Sequence, residues 1–436
     1  MIDETHDGTA RSWVASANGH CDFPIQNLPF GIVSSRGSKP WAGTAIGDYV
    51  LDLHAAAAAG LLSGAAGRAV AAMAGGTLNG FFALGPAPRR DLRRQLFALL
   101  LVGSKHRAAT EQLLKPLSEC VACLPAQIGD YTDFFVGIHH AMNVGRVFRP
   151  DQPLLPNYKY VPIGYHGRAS SVVVSGTTIK RPRGQVRPSP DAPPRYEPSR
   201  RLDYELELGL WLGEGNELGA TLSVAQAHER IVGLSLLNDW SARDVQAWEN
   251  QPLGPFLSKS FATTISPWVI TAEALAPFRI PQPSRPPGDP QPLSYLLDAA
   301  DQAGGALDIE LEVTLASPAM ERMGLGPATL CRSNASHMYW TAAQIVTHHA
   351  SNGCNLRPGD LIGTGTISGP DALSCGALIE RTRGGVEPVM LPGGESRIFI
   401  EDGDRIFLSG RCSRAGFATI GFGPCEGRIV PSPSAS

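Results

Sequence analysis

Residues 202–208 read Leu-Asp-Tyr-Glu-Leu-Glu-Leu, and their alternation decides how this chain folds. Leu202, Tyr204, Leu206 and Leu208 alternate with Asp203, Glu205 and Glu207, a period of two that is a β-strand. Glu205 and Glu207 therefore project from one face, about 7 Å apart. Two like charges at that separation on a partly buried face repel unless a cation lies between them. A solvated sheet face is the commoner home of a lone Glu-x-Glu, so the flanking segments decide the matter. Residues 231–240, Ile-Val-Gly-Leu-Ser-Leu-Leu-Asn-Asp-Trp, read as a buried strand ending in Asn238-Asp239. Residues 130–135, Asp-Tyr-Thr-Asp-Phe-Phe, set Asp133 among aromatic rings. Buried carboxylates need partners. A set made only of Asp133, Glu205, Glu207 and Asp239 suits a divalent cation, Mg²⁺ or Ca²⁺, rather than zinc or copper.

Outward from these strands, the chain from residue 128 onward consists of β-branched runs separated by Gly and Pro, at 171–175, 206–212, 309–315, 397–400 and 405–408. Such short strands with Gly/Pro turns predict a fold that is mostly β with some α, largely antiparallel. The first 125 residues have a different texture: short strands at 30–34 and 45–51, an Ala-rich helix and loop within 55–86, and a helix around 92–102. The pattern at 113–123 reads as helical. Two Pro-rich stretches, 181–198 and 277–292, read as exposed excursions, and Pro-Ser-Pro-Ser-Ala-Ser at the end as a disordered tail. The expected division is 1–125, 126–428 and a tail 429–436.

Composition excludes several classes of function. The 436 residues carry a net charge of −3, with a pI near 6.4, so neither nucleic-acid binding nor polybasic membrane adherence is expected. The start, Met-Ile-Asp-Glu-Thr-His-Asp, is acidic with no apolar run, so no secretory signal is expected. Arg68, Gly75-Gly76 and Asn79-Gly80 interrupt the Ala-rich stretch, which is no membrane span. Of 8 cysteines only Cys120 and Cys123 form a C-x-x-C, without a second pair at zinc spacing; reduced thiols in a cytoplasmic protein are the expectation.

Polar residues gather around the presumed carboxylate set. After Asp239 the chain reads Trp-Ser-Ala-Arg243-Asp-Val-Gln246-Ala-Trp-Glu-Asn250. Ser241 followed by Asp244 predicts a helix N-terminus, which places Arg243, Gln246 and Asn250 on one face beside Asp239. A guanidinium and an amide there form an electrostatic cradle for an oxyanion, with Lys259 a third donor. His139-His140 follows Asp133 closely, and a histidine near a hard-metal site suits a general base. Glu380, read at the end of a strand-like run, is a candidate to orient it. His348-His349 reads as structural, and the Gly363–Gly369 segment lacks the lysine of a phosphate loop.

Together these stretches resemble the fumarylacetoacetase family: Asp130-Tyr-Thr-Asp-Phe, Pro162-x-Gly-Tyr-His-Gly-Arg-Ala-Ser-Ser171, Glu205-x-Glu207, Asn238-Asp-Trp-Ser-Ala-Arg-Asp244, Gly254-Pro-Phe-Leu-x-Lys-Ser-Phe261, Asn352-Gly-Cys-Asn-Leu-Arg-Pro-Gly-Asp360 and Gly365-Thr-Ile-Ser-Gly369. The resemblance runs from about residue 25 to 427. It implies a small SH3-like N-terminal domain, then a β-roll catalytic domain, assembled as a homodimer. The implied activity is metal-dependent hydrolysis of a C–C bond in 4-fumarylacetoacetate, the last step of tyrosine and phenylalanine catabolism.

Residue by residue, the resemblance makes Asp133, Glu205, Glu207 and Asp239 the metal carboxylates, His140 the base and Glu380 its orienter. Arg243, Gln246 and Lys259 would hold the oxyanion, and Arg149, Tyr165 and Thr366, with Gln246, would contact a small diketo-acid substrate. Lys259 and Thr263 match a second cation position near Asp239. Phe135 and Asn250 depart from the tyrosines common in the family. Two rival readings are a related acylpyruvate or diketone hydrolase, and a non-catalytic metal-dependent ligand-binding protein.

Overall fold

Leu206–Leu212 is a strand buried along its whole length, and it lies centrally in an eight-stranded mixed sheet. In the computed structural model, which describes residues 2–35, 37–189 and 191–433, the sheet runs Gly164–His166, Tyr131–Phe134, Leu361–Gly363, Leu206–Leu212, Ile231–Asp239, Thr263–Ile265, Val172–Val174, with Ile270–Thr271 beside Ile231–Asp239. Both faces of the central strand are covered, which explains why every side chain on it except Glu207 is apolar. Leu206, Leu208 and Leu210 join the core that includes Leu311, Val313 and Leu408 of a second sheet. Trp211, one residue out of phase, packs against Phe82 of the N-terminal region with ring centroids 6.0 Å apart. Glu205 and Glu207 share the odd-numbered phase of Trp211, as the period of two requires.

The second sheet runs Ala328–Asn334, Glu310–Ala316, Arg405–Cys412, Cys425–Val430, Ile179–Lys180, with Ile420–Gly421 against Arg405–Cys412. Antiparallel pairing dominates. Parallel pairs join Leu361–Gly363 to Tyr131–Phe134, Thr263–Ile265 to Val172–Val174, and Cys425–Val430 to Ile179–Lys180. The N-terminal unit is a five-stranded antiparallel sheet in the order Leu114–Pro116, Tyr49–Asp52, Trp41–Ile46, Phe30–Ser35, Cys120–Cys123, with helices packed beside it. The predicted small β domain followed by a larger β-rich one is what the structure shows.

Several local expectations need correction. The predicted helix at 113–123 is instead two short strands joined by a 3₁₀ turn; pairing with Tyr49–Asp52 and Phe30–Ser35 overrides the local pattern. The single strand expected at 45–51 is a hairpin, turned at Gly47 with φ of 53°. The Ala-rich helix is cut into Leu53–Ala58, Gly64–Ala71 and Asn79–Phe82, and the helix expected at 92–102 already starts at Pro86. The tail begins later than residue 429, because Ile429 and Val430 pair with Ile179 and Lys180; residues 434–436 lie outside the described residues. All 8 cysteines are free. Among the described residues, no helix is long and apolar enough to cross a membrane.

Candidate active site

Strand register delivers the carboxylates to one point. Gly363 pairs with Asp133, and Asp133 with Tyr165, while Asp239 pairs with Thr263. Each of Asp133, Glu205, Glu207 and Asp239 offers an oxygen within 4.8 Å of the others, and all four residues are buried. Gly363 lets them close: a Cβ there would lie 2.7 Å from Asp133 Oδ1 and 3.0 Å from Glu207 Oε2. Gly365, at φ of 77°, donates its backbone N–H to Glu207 Oε2 at 2.9 Å.

Cations neutralise one side of this cluster only. The Lys259 ammonium donates to Glu205 Oε2 at 2.5 Å and to Asp239 Oδ2 at 2.6 Å. Arg243 Nη1 lies 2.8 Å from Glu205 Oε1, and its Nε donates to Asp203 Oδ2 at 2.9 Å. Burial alone would raise the Glu205 carboxyl, but Lys259 and then Arg243 hold it well below the usual range. Asp133 and Glu207 lack such partners. Burial first, then the neighbouring carboxylates, push both well above the ordinary range. Asp133 Oδ1 and Glu207 Oε1 are buried with no hydrogen-bond partner, and an unpartnered buried carboxylate oxygen is costly. An all-oxygen set with two orphaned atoms and surplus negative charge fits a hard divalent cation.

The histidine stands beside this cluster. His140 lies on the helix Ile138–Phe148, its Nδ1 2.7 Å from Glu380 Oε1 and its Nε2 3.7 Å from Glu205 Oε1. Glu380 also accepts from Asn143 Nδ2 at 2.9 Å and from the Ser368 hydroxyl at 2.8 Å. Burial would raise this carboxyl, yet His140 and the hydrogen bonds outweigh it and bring it below the usual range. Glu380 sits in the short helix Leu378–Arg381 rather than at a strand end. His139 does not face the cluster; its ring packs edge-on against His337 at 5.8 Å. His349 bonds the Thr132 hydroxyl at 2.8 Å, a structural role as expected.

These groups open onto a cavity of about 720 Å³, whose walls include Asp133, Phe135, His140, Arg149, Tyr165, Glu205, Arg243, Gln246, Asn250, Lys259 and Thr366. Glu207, Asp239, Thr263 and Glu380 stand behind that wall. Tyr165 and Thr263 each donate to Asp239, at 3.0 and 3.1 Å. Arg243 Nη1 donates to Gln246 Oε1 at 3.1 Å, while Nη2 is buried without a partner. The helix bearing both runs Arg243–Glu249 and has no side-chain cap. Ser241 is not its N-cap, because it belongs to a two-residue strand paired with Leu202–Asp203. Phe135 lies edge-on to His140 with centroids 5.5 Å apart.

Sequence reasoning missed three supports. Asp203, fully buried, accepts from Arg243 Nε and from the backbone N–H groups of Leu378 at 2.7 Å and Ile379 at 3.0 Å. One carboxylate thus joins the arginine to the helix carrying Glu380. Its place in the alternation with Glu205 was the available signal. Asn143 was findable from its i,i+3 spacing to His140, whereas Ser368 carries no signal beyond its Gly-rich neighbourhood.

Residues 26–125 match the family model "Fumarylacetoacetase N-terminal", and residues 135–430 match "Fumarylacetoacetate (FAA) hydrolase C-terminal". Fumarylacetoacetase of Oryza sativa subsp. japonica is 44% identical over 431 residues, covering 97% of each chain. Those of Rattus norvegicus and Homo sapiens are each 46% identical, covering 95% and 94% of this chain and 97% of theirs. A solved fumarylacetoacetate hydrolase from psychrophilic Exiguobacterium antarcticum superimposes with a TM-score of 0.50 at 15% identity, over 93% of this chain and 99% of that one; it shares the fold. With both family models matched in order and relatives aligned over nearly its full length, this chain belongs to the fumarylacetoacetase family.

Proposed function

We propose that this protein hydrolyses 4-fumarylacetoacetate to fumarate and acetoacetate, the closing step of tyrosine and phenylalanine breakdown. The observation that carries the reading is the buried tetrad of Asp133, Glu205, Glu207 and Asp239 beside the His140–Glu380 pair, in a chain 44% identical to a fumarylacetoacetase over nearly its whole length. The tetrad would hold Mg²⁺ or Ca²⁺, which when bound polarises the carbonyl oxygens of a 1,3-diketone and offsets enolate charge. Lys259 and Thr263 flank Asp239 and match a second cation position of the family; an ammonium has no lone pair and its charge repels a cation, so of these two side chains only the Thr263 hydroxyl would ligate an ion there.

The residues divide the remaining work. Glu380 accepts the Nδ1–H of His140, which leaves Nε2 with its lone pair toward the cavity. Nε2 takes a proton from water, and the resulting hydroxide adds to the fumaryl ketone. Arg243 Nη2, with the Gln246 amide and the Lys259 ammonium, stabilises the alkoxide that forms. Collapse of the alkoxide breaks the C–C bond, and its electron pair leaves on acetoacetate as an enolate. The imidazolium of His140 returns the proton to that carbon. Arg149, Tyr165 and Thr366 line the same cavity and anchor the substrate.

We place the domain division near residue 125, assign the chain to the cytoplasm on the strength of its free thiols, and take it to act as a homodimer on the family resemblance. The test is loss of diketone absorbance with the purified protein, with products resolved chromatographically. Formation of fumarate and acetoacetate in equal amounts is expected. Turnover of acylpyruvates alone, or of no diketone, overturns the reading.

A further inference from the structure

The strand Tyr131–Phe134 carries two polar side chains toward the carboxylate cluster. Tyr131 and Asp133 alternate with Thr132 along it, so they share a face. Leu361 and Gly363 are their partners on the neighbouring strand. The missing side chain of Gly363 leaves a pit lined by three oxygens. A Cβ there would lie 2.7 Å from Asp133 Oδ1, 3.0 Å from Glu207 Oε2 and 3.1 Å from the Tyr131 hydroxyl oxygen. The phenol thus reaches the tetrad from behind the cavity wall, and its ring is seated against Gly167, where a Cβ would come within 2.3 Å of Tyr131 Cδ1.

Among the described residues, the Tyr131 hydroxyl is buried with no hydrogen-bond partner, as are Asp133 Oδ1 and Glu207 Oε1 near it. The Thr263 hydroxyl stands close by, but its own proton goes to Asp239 at 3.1 Å. Carboxylates that ligate a metal are themselves held by hydrogen bonds from behind. Asp239 has such donors in Tyr165 and Thr263, and Glu205 has Arg243 and Lys259. Asp133 has none. A third cation beside the tetrad would repel a divalent ion, whereas a neutral phenol can donate a proton without adding charge.

We propose that Tyr131 is a positioning residue for the cation: its hydroxyl donates to the Asp133 carboxylate and holds that ligand in place for a hard divalent ion. This inference deepens the function proposed above and rests on its metal reading.

The test uses metal-stripped wild type, Tyr131→Phe and Tyr158→Phe. Ca²⁺ binding is read by titration calorimetry, and the unfolding temperature is read in chelator. Tyr158→Phe is the control, because it removes another buried hydroxyl without a partner, on a ring 5.9 Å from that of Phe135. Tyr131→Phe should raise the Ca²⁺ dissociation constant about tenfold to a hundredfold, the usual effect of removing a group that orients a metal ligand. Its unfolding temperature in chelator should equal or exceed that of the wild type, since the hydroxyl removed there has no partner to lose. Tyr158→Phe should bind Ca²⁺ as the wild type does. A Tyr131→Phe dissociation constant within about threefold of the wild type overturns the inference. So does an equal loss of affinity in Tyr158→Phe, or a Tyr131→Phe protein less stable in chelator, either of which would mean a packing role. A wild type that takes up no divalent ion overturns the metal reading itself, and this inference with it.

Discussion

Glu380→Gln changes one atom, and the surrounding hydrogen bonds dictate which way the new amide turns. Asn143 Nδ2 donates to Glu380 Oε2, and Asn143 is itself pinned because its Oδ1 accepts from Arg146 at 3.2 Å. The Ser368 hydroxyl, which donates to Oε1 at 2.8 Å, rotates to accept instead, so the glutamine carbonyl takes the Oε2 position and its NH₂ group the Oε1 position. That NH₂ faces His140 Nδ1, 2.7 Å away in the wild type. Nδ1 becomes the acceptor, the ring proton moves to Nε2, and the lone pair that would deprotonate water is lost. The equivalent Asp→Asn change in a serine-protease triad lowers kcat about 10⁴-fold for the same tautomeric reason. A fall in kcat of roughly 10³–10⁴, about 4–5.5 kcal/mol of barrier, is expected here with KM nearly unchanged. Adding Asn143→Ala frees the amide to rotate, so the double variant should recover about tenfold of the lost rate relative to Glu380→Gln alone. Steady-state kinetics of the three proteins provide the assay. A single variant within tenfold of wild-type kcat, or a double variant slower than the single, refutes the tautomer argument.

Two further outcomes follow from the electrostatics. Arg243→Ala should lower kcat by roughly 10²–10³, the size of one lost oxyanion donor, and should weaken a phosphinyl analogue of the tetrahedral intermediate more than it weakens acetoacetate; a change confined to KM would make the arginine a substrate clamp. In chelator, Asp133 and Glu207 have folded pKa values raised above their ordinary 3.8 and 4.5, so the stability they contribute is complete below those values and is lost as pH rises toward the raised ones. The increase in unfolding temperature given by saturating Mg²⁺ should therefore be larger at about pH 8 than at about pH 5. Equal increments at the two pH values would contradict the assignment of these carboxylates.

The site was more legible in the sequence than the N-terminal domain, and for a physical reason. Carboxylates recurring in several otherwise apolar strands are costly without a shared partner, so Glu205, Glu207 and Asp239 stood out together where a lone Glu-x-Glu would not. Their spacing within strands also fixed which way they point. The segment 113–123 had no comparable constraint: its short strands exist because they pair with Phe30–Ser35 and Tyr49–Asp52, partners distant in sequence. Asp203 lay in plain view within the alternation, but its role depends on Leu378 and Ile379, 175 and 176 residues later. The Pro-rich stretch at 181–198 is largely exposed between 187 and 196, as its composition suggests, but it carries a hairpin whose seat on the helix Arg243–Glu249 depends on Gly184, a long-range contact that local composition does not show.

The central claim is that four buried carboxylates exist to hold a divalent cation that the hydrolysis requires. Turnover of fumarylacetoacetate by the purified protein, measured before chelation, after it, and after return of Mg²⁺ or Ca²⁺, tests this most directly. Activity should vanish with chelation and return with either ion, while Asp133→Asn protein should regain little on ion addition. Full turnover by the metal-stripped protein would contradict the account.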